Sequence, residues 1–207
     1  KVTGVVAKKS GSANAYIQQY DAEDDQYYGI YVYGGYNSIT NLIEGCSVQI
    51  TGKIGYYYGS LQITDINSDS QISILSPVDK NQIVTREEKI SNIDDIYAYS
   101  KIGSLVTLHN LTVYDYNDSQ NNSATTLKCH YIDENGNQKQ FNVRIAKEIA
   151  LYDPITKKQI SSGEYFVGKT FETITGMLAY YNGADKTPYS NGHMQLALSS
   201  MDDVIFK

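Results

Sequence analysis

Ile50-Thr51-Gly52-Lys53-Ile54-Gly55-Tyr56-Tyr57-Tyr58-Gly59 recurs 124 residues later as Ile174-Thr175-Gly176-Met177-Leu178-Ala179-Tyr180-Tyr181-Asn182-Gly183, with six of ten positions identical. Each copy follows a glycine, Gly45 or Gly168, at a similar distance. Each precedes a short strand-like segment, Leu61-Gln62-Ile63 or Met194-Gln195-Leu196. The interval is too long for a solenoid repeat and fits two copies of one domain. Tyr56 and Tyr180 fall on the apolar register of the repeat and are expected in the core.

Outward from the first copy, the sequence reads as short strands separated by turn residues. Val2 to Lys9 is β-branched and breaks at Ser10-Gly11-Ser12. Ala15 to Tyr20 ends in the acidic turn Asp21-Ala22-Glu23-Asp24-Asp25, and Tyr27 to Tyr33 ends at Gly34-Gly35. Asn37 to Glu44 is expected to form one or two helical turns before Gly45. Ser47 to Tyr58 and Leu61 to Ile66 follow, with a continuation through Ile72 to Leu75. The second copy has strands near 105–116, 125–133, 138–146, 170–181 and 193–206, and Lys147 to Tyr152 reads as helical up to Pro154. Between the copies, residues 78–103 read as a linker, with Ile93, Ile96 and Tyr97 at helical spacing.

Five strands with a short helix between the third and fourth is the plan of the OB fold. The expectation is therefore all-β: two tandem OB-fold-like five-stranded barrels over 1–77 and 104–207, joined by 78–103. The first domain also resembles the OB-fold modules of secreted and surface-anchored bacterial proteins, some of which accompany extracellular nucleases. The likeness runs through Val2-Thr3-Gly4-Val5-Val6, Ala15-Tyr16-Ile17-Gln18, Gly29-Ile30-Tyr31-Val32, Gly45, Val48-Gln49-Ile50-Thr51-Gly52 and Leu61-Gln62-Ile63. It covers residues 2–66 and touches the second domain mainly at Gly168 to Tyr181 and Met194 to Leu198. The resemblance implies an extracellular or cell-surface setting beside neighbouring domains of the same parent chain. The start at Lys1, with no signal peptide, also reads as a piece of a longer protein.

Composition narrows the function classes. The chain has 207 residues, 17 basic and 23 acidic, for a formal charge of −6. That balance argues against a polyanion binder driven by charge alone. Residues 1–77 carry 4 basic and 7 acidic groups, and 104–207 carry 9 and 11, so neither half is basic. No apolar run approaches the roughly 18 residues of a membrane helix. Cys46 and Cys129 lie far apart, in different domains, and are expected as two buried free thiols. There is no phosphate loop, no His/Cys metal cluster and no nucleophile elbow, so neither a cofactor nor catalysis is expected.

Strand alternation then nominates a ligand face. Ile17, Ile30 and Val32 point inward, which turns Tyr16, Gln18, Tyr20, Tyr31 and Tyr33 outward on strands two and three, where OB folds meet ligands. The flanking loops contribute Lys8, Lys9 and Tyr57. Tyrosines with a basic rim suit base stacking on single-stranded nucleic acid. They suit the apolar faces of a polysaccharide equally, and sheet packing or a spacer role remains the plain alternative. In the second domain Leu127, Cys129, Tyr131, Phe141, Val143 and Ile145 point inward, leaving Lys128, His130, Asn142 and Arg144 outside as a locally basic patch. Its alternative is a solvated face with cross-strand charge pairs. The turn Asp21 to Asp25 has the oxygen chemistry for calcium but not the spacing of a known loop.

Overall fold

The computed structural model describes residues 1–35, 37, 39–90, 101–119, 124–183 and 192–207. The chain is all-β and divides into two compact units, built from the described residues of Lys1–Thr85, Tyr99–Leu105 and Tyr180–Gly192 on one hand and Arg86–Ala98, Val106–Ala179 and His193–Lys207 on the other. Among the described residues no helix is long and apolar enough to cross a membrane.

In the first unit, β1 (Val2–Ser10), β2 (Asn14–Asp21) and β3 (Gln26–Tyr33) form an antiparallel meander. β4 (Ser47–Ile50) returns antiparallel to β1, β5 (Lys53–Tyr57) turns back into β6 (Ser60–Thr64), and β6 runs parallel to β3. β4 and β5 are the two halves of the single strand expected over 47–58, broken at Thr51-Gly52. That break lets one strand pair with β1 at one end and β6 at the other, closing the barrel. Gly52 is required there: a Cβ would stand 2.6 Å from Ile63 Cγ2 and 2.7 Å from Thr64 O. β7 (Ile72–Ile74) adds to β4. The core is aliphatic, built from Val6, Ala15, Ile17, Val32, Leu42, Val48, Ile50 and Ile63, with Ile30 packed against it.

The second unit repeats this connectivity. β9 (Leu105–Asp118), β10 (Ala124–Ile132) and β11 (Gln138–Ala146) form the meander. β12 (Thr170–Tyr181) pairs with both β9 and β13 (His193–Leu198), and β13 runs parallel to β11. β14 (Val204–Phe206) adds to β12 as β7 adds to β4. Gly176 is pressed against Leu196 Cγ and Ala197 O, each at 2.8 Å from a built Cβ. These are the repeat partners of Ile63 and Thr64. Gly45 N donates to Val6 O at 2.9 Å and Val6 N to Cys46 O, as Gly168 N donates to Val113 O at 2.8 Å and Val113 N to Lys169 O. The first strands bulge at the same place, after Val6 and after Val113. One residue separates the two glycine intervals, and a bulge between Phe171 and Thr173 absorbs it.

The expected helices between third and fourth strands are not α-helices. Residues 39–44 are an irregular loop, because tertiary partners take the groups a helix would pair internally. Asp69 accepts from Thr40 N at 2.8 Å and Asn41 N at 2.9 Å, and Asn41 Nδ2 donates to Ile72 O at 3.1 Å. Residues 147–152 form a turn and then a small ribbon, Tyr152 bridging Gln159, around a turn capped by the Asp153 side chain. A single 3-10 turn, Gly163–Phe166, precedes β12. Residues 78–90 are not a plain linker either: Lys80–Gln82 is a 3-10 turn, and β8 (Arg86–Glu87) pairs parallel to β9. The helix expected around Ile93, Ile96 and Tyr97 lies outside the described residues. Cys46 and Cys129 are free and buried.

Candidate nucleic-acid interface

Cross-strand pairing lays out the outer face of the first barrel as rows. Lys8 pairs with Tyr16, Tyr16 with Tyr31, Tyr31 with Gln62 and Gln62 with Gly55, one row across five strands. Asn14 and Tyr33 form the next row on one side, Gln18 and Gly29 the next on the other, and Tyr20 and Tyr27 the one beyond. The expected residues are thus brought to one face, but their roles separate.

Tyr31 and Tyr33 occupy the open end, with Tyr33 40 % exposed. Tyr16 stands beneath Tyr31 at 4.7 Å between ring centroids. Burial, and then the neighbouring Tyr31, push its phenol well above the ordinary tyrosine range. Tyr16 is a buttress that fixes Tyr31 rather than a stacking surface. Tyr57, at the tip of the β5–β6 hairpin, is 61 % exposed. Its ring meets Tyr58 at 4.3 Å, and Tyr58 meets Tyr181 at 5.4 Å. Desolvation first, then a hydrogen bond with Tyr58 and the nearby Tyr33 and Tyr181 phenols, raise the Tyr57 phenol. Tyr57, Tyr58 and Tyr181 therefore cluster at the β5–β6 hairpin, within electrostatic reach of the Tyr33 phenol, while Tyr31 lies in the row that ends at Lys8.

Tyr58 and Tyr181 were not among the expected site residues, although the repeat aligns Tyr181 with Tyr57. Tyr56 departs from expectation in the other direction. It is 47 % exposed, and only Tyr180 is buried. The β5–β6 hairpin extends past the core, so alternation there no longer separates inside from outside. Lys9 sits beside this end, its backbone N–H donating to Glu44 Oε1 at 2.8 Å.

Gln18 is buried, contrary to its expected place on an open face, and its amide is used internally. Nε2 donates to Val84 O at 3.1 Å, and Oε1 accepts from Val84 N at 2.6 Å. Tyr20 lies at the far end, where its hydroxyl donates to Asp25 at 2.7 Å, and Tyr28 donates likewise to Asp24. These hydrogen bonds to carboxylates are the leading cause of the raised pKa of both phenols. The acidic turn thus spends Asp24 and Asp25 on tyrosines and Asp21 on the Glu23 N–H. Among the described residues no group of three or more His, Cys, Asp or Glu is arranged to hold a metal.

The equivalent row of the second barrel is Asp115, Lys128, Asn142 and Gln195. Lys128, His130, Asn142 and Arg144 do share its outer face, but the Lys128 charge is answered by a carboxylate. Lys128 Nζ donates to Asp115 Oδ2 at 2.7 Å, which raises the lysine and lowers the carboxylate. Arg144 Nη1 donates to Thr126 Oγ1 at 3.2 Å, and Asn142 Nδ2 stands 3.0 Å from His193 Nε2. The His130 ring lies 6.0 Å from Tyr114, with its Nδ1 buried. Only Gln62 and Gln195 keep the same side chain at corresponding places in the two rows. The tyrosine pair of one barrel is a lysine and an asparagine in the other, so the paired tyrosines belong to the first barrel.

No protein-family model matches the chain, and no curated protein matches it. Among solved structures, the chain is similar to a deletion mutant of the single-stranded DNA binding protein from Thermus aquaticus. The identity is 11 % and the TM-score 0.30, with 99 % of this chain and 91 % of that one covered.

Proposed function

We propose that the chain is a non-catalytic binding module of a larger extracellular bacterial protein, and that its first barrel holds single-stranded nucleic acid weakly, by stacking. The presence of Tyr31 and Tyr33 on one OB face, with Lys8 at the end of the Tyr31 row and Tyr57 on the adjoining hairpin, carries this reading. Every base has a π-face, so such a platform accepts any sequence, and a lysine supplies a phosphate contact without making the surface basic. The hairpin between fourth and fifth strands is one of the loops OB barrels use for oligonucleotides and oligosaccharides. The extracellular setting rests on the resemblance of residues 2–66 described above.

The same platform favours a glycan in one respect: the chain is acidic, and neutral sugars ask for no counter-charge. Salt separates the two. Contacts from Lys8 and Lys9 to two phosphates give a slope of log affinity against log salt of about −1.4 on a single strand, and a neutral oligosaccharide gives a flat line. The chain has 20 Tyr and no Trp, so quenching of tyrosine fluorescence reports stacking directly. Titration with a thymidine oligonucleotide should quench it. Tyr31→Ala and Tyr33→Ala should each weaken binding by about 1–3 kcal/mol, roughly 5- to 150-fold. Normal binding by both variants would remove the platform from the site.

A further inference from the structure

Two stretches outside the barrel strands lie on the outer face of β2 and β3 in the first unit. Val84 is held from both sides of its backbone by the Gln18 amide, which donates one bond and accepts one as a peptide unit does. Gln18 is 2 % exposed and pairs across the sheet with Gly29. There the second stretch arrives: a Cβ on Gly29 would stand 1.9 Å from Gly103 O, and one on Gly103 would stand 2.3 Å from Gly29 C. Ile102 and Ser104 are buried beside this contact, and Ser104 Oγ donates to Tyr27 O at 3.4 Å. The Gln18–Gly29 row is thus occupied by the protein's own backbone, while Tyr33, on the other side of the Tyr16–Tyr31 row, is exposed.

We propose that these two segments form a self-docked strap that takes up part of the ligand face and restricts the site to short oligomers laid along the row from Lys8 across Tyr31 to Gln62. The inference rests on the nucleic-acid reading above. A row across five strands spans four gaps of about 4.8 Å, or about 19 Å. At about 3.4 Å per stacked base it accommodates at most about six nucleotides. That is the low end of the roughly 4–16 nucleotides an OB fold can cover. A ligand that ran on across β2 and β3 would need the places Val84 and Gly103 now hold.

Thymidine oligonucleotides of roughly 2 to 16 nucleotides, spanning that range, test this by tyrosine quenching on the full chain, with amide hydrogen exchange read at Val84. Gln18→Leu keeps the side-chain volume close and removes both amide bonds to the strap. In the wild type, affinity should stop rising beyond about six nucleotides and Val84 should be protected. In Gln18→Leu, Val84 should lose protection and the longest oligomer should bind at least about 5-fold more tightly, the low end of one further stacked base. Wild-type affinity that climbs steadily past about ten nucleotides overturns the strap while leaving the nucleic-acid reading in place. So does a variant that frees Val84 and binds long oligomers no better. Absence of binding at every length in both proteins overturns the nucleic-acid reading and the length limit with it. The wild-type series decides by itself should the variant fail to fold.

Discussion

Replacing Gly29 by alanine tests the contact on which the strap depends. Gly29 has no left-handed backbone, so the substitution carries no conformational penalty of its own. The new Cβ would stand 1.9 Å from Gly103 O and 2.9 Å from Gly103 Cα. An ordinary contact needs about 3.4 Å or more, so the two backbones must part by about 1.5 Å, and no rotamer relieves a clash between main chains. Two routes are open. Keeping the strap in place costs the overpacking penalty, about 1–3 kcal/mol and more where backbone must shift. Releasing it returns Ile102 to water, worth about 1.5–3 kcal/mol for a fully buried side chain, and loses the Ser104 bond. Both routes meet near 2–3 kcal/mol. With a urea slope of about 2–3 kcal/mol per molar for a chain of this size, the midpoint should fall by about 1 M. Gly136→Ala is the control: its φ is +80° and nothing lies within 4 Å of a built Cβ, so it pays only the left-handed penalty, about 1–2 kcal/mol. Urea unfolding followed by tyrosine fluorescence gives both numbers. A Gly29→Ala midpoint equal to wild type would show that the backbones are not in contact and refute the argument.

The other predictions test parts of the framework. Gly52→Ala and Gly176→Ala should each destabilise by about 1–3 kcal/mol, because each new methyl meets the repeat-equivalent side chain and carbonyl; urea midpoints unmoved in either would break the equivalence. Asp153 is held down to about 2, first by the Tyr165 hydroxyl and then by the backbone of Thr156 and Ile155. Its folded pKa is depressed, so its contribution to stability is present above its ordinary value of 3.8 and lost as pH falls toward about 2. Tyr165→Phe should move the Asp153 titration, followed by carboxyl NMR, back toward 3.8; an unmoved titration would assign the shift elsewhere. Burial pushes the Cys129 thiol up to about 12, so a thiol reagent near neutral pH should label it only after unfolding, and rapid labelling of the folded chain would contradict its buried place.

Where alternation governs, the sequence was enough. Gly52 and Gly176 stood out as matching positions of the ten-residue repeat, but the break at Thr51-Gly52 was not legible, because alternation does not show where a strand changes partners. Tyr31 and Tyr33 were legible because Val32 between them is wholly buried. Tyr56 was misread because the same rule was carried along a hairpin that leaves the core, where neither face is covered. The helices were misread because Thr40 and Asn41 look locally helical, while the carboxylate that claims their N–H groups comes from Asp69, far along the chain.

Sequence alone determined the all-β class and most of the inward set, because these follow from a period of two along the strands. Tertiary structure alone decided which outward side chains are taken up by internal hydrogen bonds and ion pairs. Gln18 and Tyr31 have the same alternation and the same apparent freedom, yet Gln18 is spent on Val84. Lys128 has the charge to meet a phosphate, yet Asp115 answers it across the strand. The physical reason is that a hydrogen-bonding or charged side chain is defined by its partner, and its partners here come from segments 13 or 66 residues away, beyond the reach of any local pattern.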